Sequence, residues 1–350
     1  RFMIWGAEPA GSMPKGLTAS PDGRWVFAAN MGRPNKRTLS VFQAVPFALD
    51  RELNFEGSAI ELTPSPDGKV LYFTNKKKSG YLEVVDLETL KLVHHIWVPG
   101  FPKFILPDPD GKHVYLSLWS SDGIARVTFP ELSVEIMKTP GHARVRGSGR
   151  QSKNPRGMAF SPDGKTIYLA NNMDRSLSFI DVDTFEERKR IDLGWAPRHV
   201  VMSPDGSRAY ISLSGQDEIV VLDTATESVI QRVKVGHRPK SLAIAHDGRF
   251  VYSANFKGSS MSVVDTRTFE TVEIPLNVLR VSGLTVHPDD GFIYISGWCT
   301  NDVWAIQRID PGQFPLLPLG KYRPNNPCYK CEMHPMGCPS RAEIKKHRKW

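Results

Sequence analysis

Ser161-Pro162-Asp163-Gly164-Lys165-Thr166-Ile167-Tyr168-Leu169-Ala170-Asn171 decides the fold. Its Pro-Asp-Gly centre suits a tight turn: proline presets φ, aspartate caps its own backbone, and glycine accepts positive φ. Ile167 and Leu169, separated by Tyr168, then read as a strand with two packed faces.

The stretch recurs along the chain. Ser20-Pro21-Asp22-Gly23, Ser65-Pro66-Asp67-Gly68, Asp108-Pro109-Asp110-Gly111, Ser203-Pro204-Asp205-Gly206 and Ala245-His246-Asp247-Gly248 repeat the turn, and His287-Pro288-Asp289-Asp290-Gly291 is a looser seventh copy. Successive turn glycines stand 45, 43, 53, 42, 42 and 43 residues apart. Seven units of that period, each with several short strands, predict an all-β, seven-bladed β-propeller of four-stranded blades.

The repeat overrides the two-domain expectation that 350 residues would otherwise carry. It places the propeller at residues 1–310 and an irregular, cysteine-containing basic extension at 311–350. Apolar residues make up 40% of the chain, enough for a continuous core between blades, and no apolar run is long enough to span a membrane. The net charge of +8 suits an acidic partner or surface. A first residue of Arg1 rather than Met is the expectation of a trimmed export signal, hence a periplasmic or otherwise exported protein.

The fifth unit gives the parse: strand A over Arg198–Met202, the turn, strand B over Ala209–Leu213, strand C over Glu218–Asp223 and strand D over Val229–Val235. Asp86, Asp181, Asp223 and Asp265 each end a strand C with Thr three residues on, the pattern of a side-chain-capped turn. The seventh unit has strands A, B and C but runs into Pro311 and Pro315 where D should stand. Arg1–Gly6 is therefore expected to serve as that missing strand, closing the ring and removing its free edges.

The pattern Pro-x-x-x-x-x-Ser-Pro-Asp-Gly-Lys-x-x-Tyr-x-x-Asn resembles the YVTN-type repeat of seven-bladed propellers over roughly residues 1–310. The resemblance implies the fold and leaves function open, because the fold hosts unrelated activities. It also implies that the D-to-A and B-to-C connections share the functional face.

Eight positions before the turn glycine, at the start of strand A, stand Lys15, Lys103, Arg156, Arg198 and Lys240, each after a proline. Ile60 and Ser282 interrupt the set, with Arg280 near the latter. Ring geometry would gather these cations around one channel mouth. The B-to-C loops add Arg33, Lys36, Arg37, Lys76, Lys77 and Lys78. The long interval holds an insertion, Gly141–Asn154, with Arg144, Arg146, Arg150, Lys153 and no acid. Asp122, Asp174, Asp217, Glu218 and Asp302 oppose them. The blander reading is a set of solvated loop charges; the functional one is a basic face that steers an acidic protein, or the anionic groups of a cofactor, into place. A nucleic-acid partner would want aromatic platforms or a groove-reading element, and neither is legible.

Cys328, Cys331, His334 and Cys338 crowd the extension. They fit a tetrahedral zinc site by ligand type, though the spacing is unusually short, and fit a disulfide in an exported chain equally. Covalent haem attachment is disfavoured because Glu332 and Met333 separate Cys331 from His334. Cys299, in a B-to-C loop, is either a partner for the tail or a buried thiol. Arg341–Trp350 is a basic extension suited to an acidic surface, or simply a solvated end.

No converging catalytic set stands out. That favours a non-catalytic propeller. In architecture, with no diagnostic motif, the chain is similar to hydrazine synthase β subunits; this resemblance implies a subunit of a multi-subunit redox complex that binds no cofactor in the propeller itself and leaves haem to its partner chains. The alternative is a propeller hydrolase of the lactonase type using Arg198, His199 and channel carboxylates.

Overall fold

A computed structural model describes residues 1–32, 37–77, 79–121, 123–138 and 154–309. These form 28 strands in seven antiparallel sheets of four. In blades 1 to 6 the order is A-B-C-D, from Pro14–Ala19 as strand A of blade 1 to Thr271–Pro275 as strand D of blade 6. In blade 7, Val281–Val286, Phe292–Gly297 and Asp302–Arg308 are strands A to C, and the outermost strand is Phe2–Pro9 from the other end of the chain. Its register runs from Phe2 opposite Arg308 to Pro9 opposite Asp302. The N-terminal closure expected from the sequence is thus present, and the strand extends three residues beyond Gly6. No helix among the described residues is long and apolar enough to cross a membrane.

The repeated turn works as its chemistry dictates. Ser161 Oγ donates to Asp163 Oδ1 at 2.5 Å, and that carboxylate accepts the Lys165 N–H at 3.1 Å. Ser161 Oγ in turn accepts the Thr166 N–H at 2.9 Å, and Gly164 sits at φ +70°. In the looser seventh copy the left-handed position falls on Asp290, φ +61°, one residue before the glycine. The Asp-Thr turns are side-chain caps: Thr89, Thr184 and Thr226 N–H groups donate to Asp86, Asp181 and Asp223 at 2.7–2.8 Å.

The core lies between neighbouring blades. Tyr168 and Phe179 of blade 4 pack with Val200, Ala209 and Ile211 of blade 5. Tyr115, Tyr168, Tyr210, Tyr252 and Tyr294, each on a strand B, are all almost wholly buried. The asparagine that ends strand B is buried too and ties B to C: Asn30, Asn171 and Asn255 donate to Ser40, Ser178 and Ser262, and Asn75 to Glu83, at 2.7–2.9 Å.

Asp302, read as a surface charge, is wholly buried where the closing strand meets blade 7. Thr300 Oγ1 donates to its Oδ1 at 2.5 Å. Burial pushes its carboxyl up to about 7 against the hydrogen bonds from Thr300 and Trp304. A raised folded-state value means that the native state keeps a proton the unfolded chain releases. Its contribution is complete below about pH 4 and is lost as the pH rises to about 7. Asp302→Asn should match the wild type at pH 4 and gain up to about 4 kcal/mol at pH 8, read from urea midpoints. Equal midpoints at pH 8 would contradict the burial argument.

Candidate functional site

Every strand A carries a β-bulge or register shift against its strand B at the end nearest the channel mouth, for example between Pro102 and Phe104, Pro155 and Met158, and Pro197 and Val200. A bulge sets two residues against one and re-aims their side chains. Simple alternation would send only one of each consecutive pair inward. With the bulge, both members reach the axis in several blades. Lys15, Lys103, Arg156, Arg198 and Lys240 line one cavity together with Glu61, Phe104, Gly157, His199 and Ser241. The structure therefore gathers all five predicted strand-A cations from five blades. It adds Glu61, one residue beyond the Ile60 that breaks the cationic set. At Gly157 a Cβ would stand 2.7 Å from the Cα of His199 and 2.9 Å from the Arg198 carbonyl, so glycine permits the inner strands of blades 4 and 5 to close up.

The cavity is small, about 30 Å³, and strongly positive. Lys15 donates to Glu61 Oε2 at 2.8 Å and to the Ile60 carbonyl at 3.1 Å. Lys240 donates to Ser282 Oγ and lies 4.1 Å from the Trp298 ring centre. Lys103 and Arg156 share the Trp119 ring, at 5.6 and 3.6 Å. Arg156 Nε is buried with no hydrogen-bond partner. Burial lowers the affinity of Lys15, Lys103, Arg156 and Lys240 for their protons, and the other cations add to this. Arg198 is lowered to about 10 by burial and by Arg238. Each group is wrapped by protein on most sides but keeps an edge on the channel.

His199 is not poised as a base. Its Nδ1 accepts the Leu242 N–H at 3.0 Å, which places the proton of the neutral ring on Nε2. Burial pulls it down to about 4, and Lys15 and Arg198 act in the same direction. The ring meets Phe104 edge to face, with centroids 5.1 Å apart.

The remaining described cations lie further out. Lys76 rests 4.2 Å over the Phe101 ring, whose centre is also 3.9 Å from Lys103, and Lys77 is 6.0 Å from that of Tyr81. Arg37 pairs with Glu52 at 2.8 Å. Arg280 lies 5.5 Å from the Phe256 ring centre. The expectations for Arg33, Lys36, Lys78, Asp122, Arg144, Arg146, Arg150 and Lys153 fall outside the described residues, as do those for Cys328, Cys331, His334 and Cys338. Cys299 is buried with Phe256 and Trp298. The aromatic residues between the cations escaped the sequence reading. A signal existed: Trp119, Phe256 and Trp298 each stand one residue past the end of strand B.

Two other features lie on the opposite end of the ring, at the A-to-B turns. A cleft of about 700 Å³ between blades 5 and 6 is lined by Asp205, Arg208, Asp247, Arg249 and their neighbours. It is far larger than the central cavity, but its charges are mixed and it opens among solvated turns. In blade 3, ligand atoms of Asp108, Asp110 and His113 lie within 4.8 Å of one another. Asp108 there replaces the turn serine, and its 3.0 Å contact with His113 does the work of the usual clasp.

Comparison with known proteins gives three findings. The family description "Lactonase, 7-bladed beta-propeller" matches residues 135–268. No curated protein matches the chain. Kuenenia stuttgartiensis hydrazine synthase superposes with a TM-score of 0.73 at 20% identity, over 85% of this chain and 96% of that one. At that identity the likeness is one of fold.

Proposed function

We propose that this chain is a non-catalytic propeller subunit of an exported multi-subunit redox complex, docking acidic, haem-bearing subunits through its basic face. The observation that carries this reading is the imbalance of charge at that face. Among the described residues, five cations converge on the axis with Glu61 as the one carboxylate beside them, and Lys76 and Lys77 lean on aromatic rings. Fixed, unneutralised charge attracts and orients an acidic partner, raising the association rate. The insertion and the tail would add contacts, the tail being closed by zinc or a disulfide. The fold shared with hydrazine synthase is consistent with this role.

The lactonase-type alternative draws support from the family match over blades 4 to 6. It lacks a general base among the described cavity residues: Glu61 is engaged by Lys15, and the ring nitrogen of His199 that could accept a proton already accepts the Leu242 N–H.

Native mass spectrometry of the protein purified from its source should find it with haem-bearing chains. Lys76→Glu, Lys77→Glu and Lys78→Glu together should weaken that association at least about tenfold at low salt and flatten its salt dependence. A colourless monomer that opens lactones would reverse the choice.

A further inference from the structure

We propose that the cavity on the propeller axis is a binding site for a small monovalent inorganic anion, of the size and charge of chloride or nitrate. The inference draws on the same five cations that support the docking reading, but concerns the small cavity between them rather than the face around it.

The charge balance comes first. Lys15, Lys103, Arg156, Arg198 and Lys240 enter one small space with a single carboxylate, Glu61, and that carboxylate is held by Lys15. Four cationic side chains then have no carboxylate partner among the described residues. Like charges held together away from bulk water repel strongly, and an enclosed charge without a counter-ion is costly. The backbones that carry them are fixed in place, because the bulged innermost strands of blades 4 and 5 pack closely on one another.

Donor supply is the second observation. Arg156 Nε is buried with no hydrogen-bond partner. Lys240 spends one of its three donors on Ser282. Cationic donors therefore outnumber the acceptors that line the cavity, and one of them, on Arg156, has none.

Size then selects the ligand. A cavity of about 30 Å³ holds roughly two water-sized bodies. One halide or one planar oxyanion fills that space, while a sugar acid or an acidic peptide does not. Phe104 lines the cavity, and the Trp119 and Trp298 rings back Arg156 and Lys240 at 3.6 and 4.1 Å.

The test compares thermal unfolding in sodium chloride, sodium nitrate and sodium gluconate at matched ionic strength, so that long-range screening of any docking is unchanged. Wild type should melt at least about 3 °C higher in chloride or nitrate than in gluconate. Arg156→Met and Arg198→Met should each reduce that difference to under about 1 °C. Crystals of the wild type soaked in bromide should give an anomalous peak inside the cavity, a readout that needs no variant to fold. Equal melting of the wild type in all three salts, an unchanged difference in both variants, or no bromide peak in the cavity would each overturn the proposal.

Discussion

A chain lacking residues 1–9 is expected to lose cooperative folding. Those residues carry the outermost strand of blade 7, paired along seven registered positions with Asp302–Arg308. Trp5 and Ala7 on that strand are buried, Trp5 packs edge-on to Phe292 at 5.7 Å, and Phe2 reaches Tyr252 at 6.0 Å. Burying each large apolar side chain contributes about 1.5–3 kcal/mol. Their combined loss approaches the whole stability of an ordinary domain, about 5–15 kcal/mol. The deletion also bares Asp302–Arg308 as an unpaired edge, which invites pairing between molecules. The truncated chain should aggregate in size-exclusion chromatography, and Trp5→Ala in the full chain should cost about 3–5 kcal/mol by urea unfolding. A truncated protein that stays monomeric with the wild-type urea midpoint would refute the closure.

The second large effect is expected from Glu61→Gln. This exchange keeps the shape and removes the one carboxylate among the described cavity residues. Lys15, almost completely buried, would then face the other cations without a counter-charge. Removing one partner of a buried pair costs about 3–5 kcal/mol, and the part-exposed Glu61 side chain argues for the lower end. The sign of the pH dependence follows from Lys15. Its folded-state affinity for a proton is already lowered by burial, and Glu61 is the first influence opposing that. Without Glu61 the native state sheds that proton sooner than the unfolded chain does, so the variant should recover stability as the pH rises from 7 towards 10. Lys15→Met added to Glu61→Gln should restore most of the loss at pH 7. A single variant as stable as the wild type at pH 7 would remove the pair from the account.

The fold was legible because each blade repeats the same local chemistry. Ser161, Asp163 and Gly164 satisfy their own turn before any long-range contact forms. The strand-B tyrosines and asparagines mark the inter-blade core and the B-to-C tie at a fixed distance from each turn. The cationic set was legible for the same reason, as a residue type at a constant offset. Glu61 was not, because it lies one position off that offset and reaches the cavity through a bulge that no residue pattern announces. Asp302 misled in the opposite sense: a polar loop context hid its burial beneath the closing strand. The face looked poor in aromatics because its rings lie just beyond strand B and in the D-to-A connections, and only packing brings them over the cations.

The seam in blade 7 has a topological corollary. The Arg1 amino group donates to the Ile309 carbonyl at 2.9 Å, so the first residue and the last described residue of the ring lie side by side. Sequence order around the toroid is thus an arbitrary starting point. A short bridge joining residue 309 to residue 1, with a new opening in an exposed loop such as Gly215–Gln216, would preserve every sheet while moving the seam to another blade. Whatever segment follows Ile309 departs from the same sector of the rim where the chain begins.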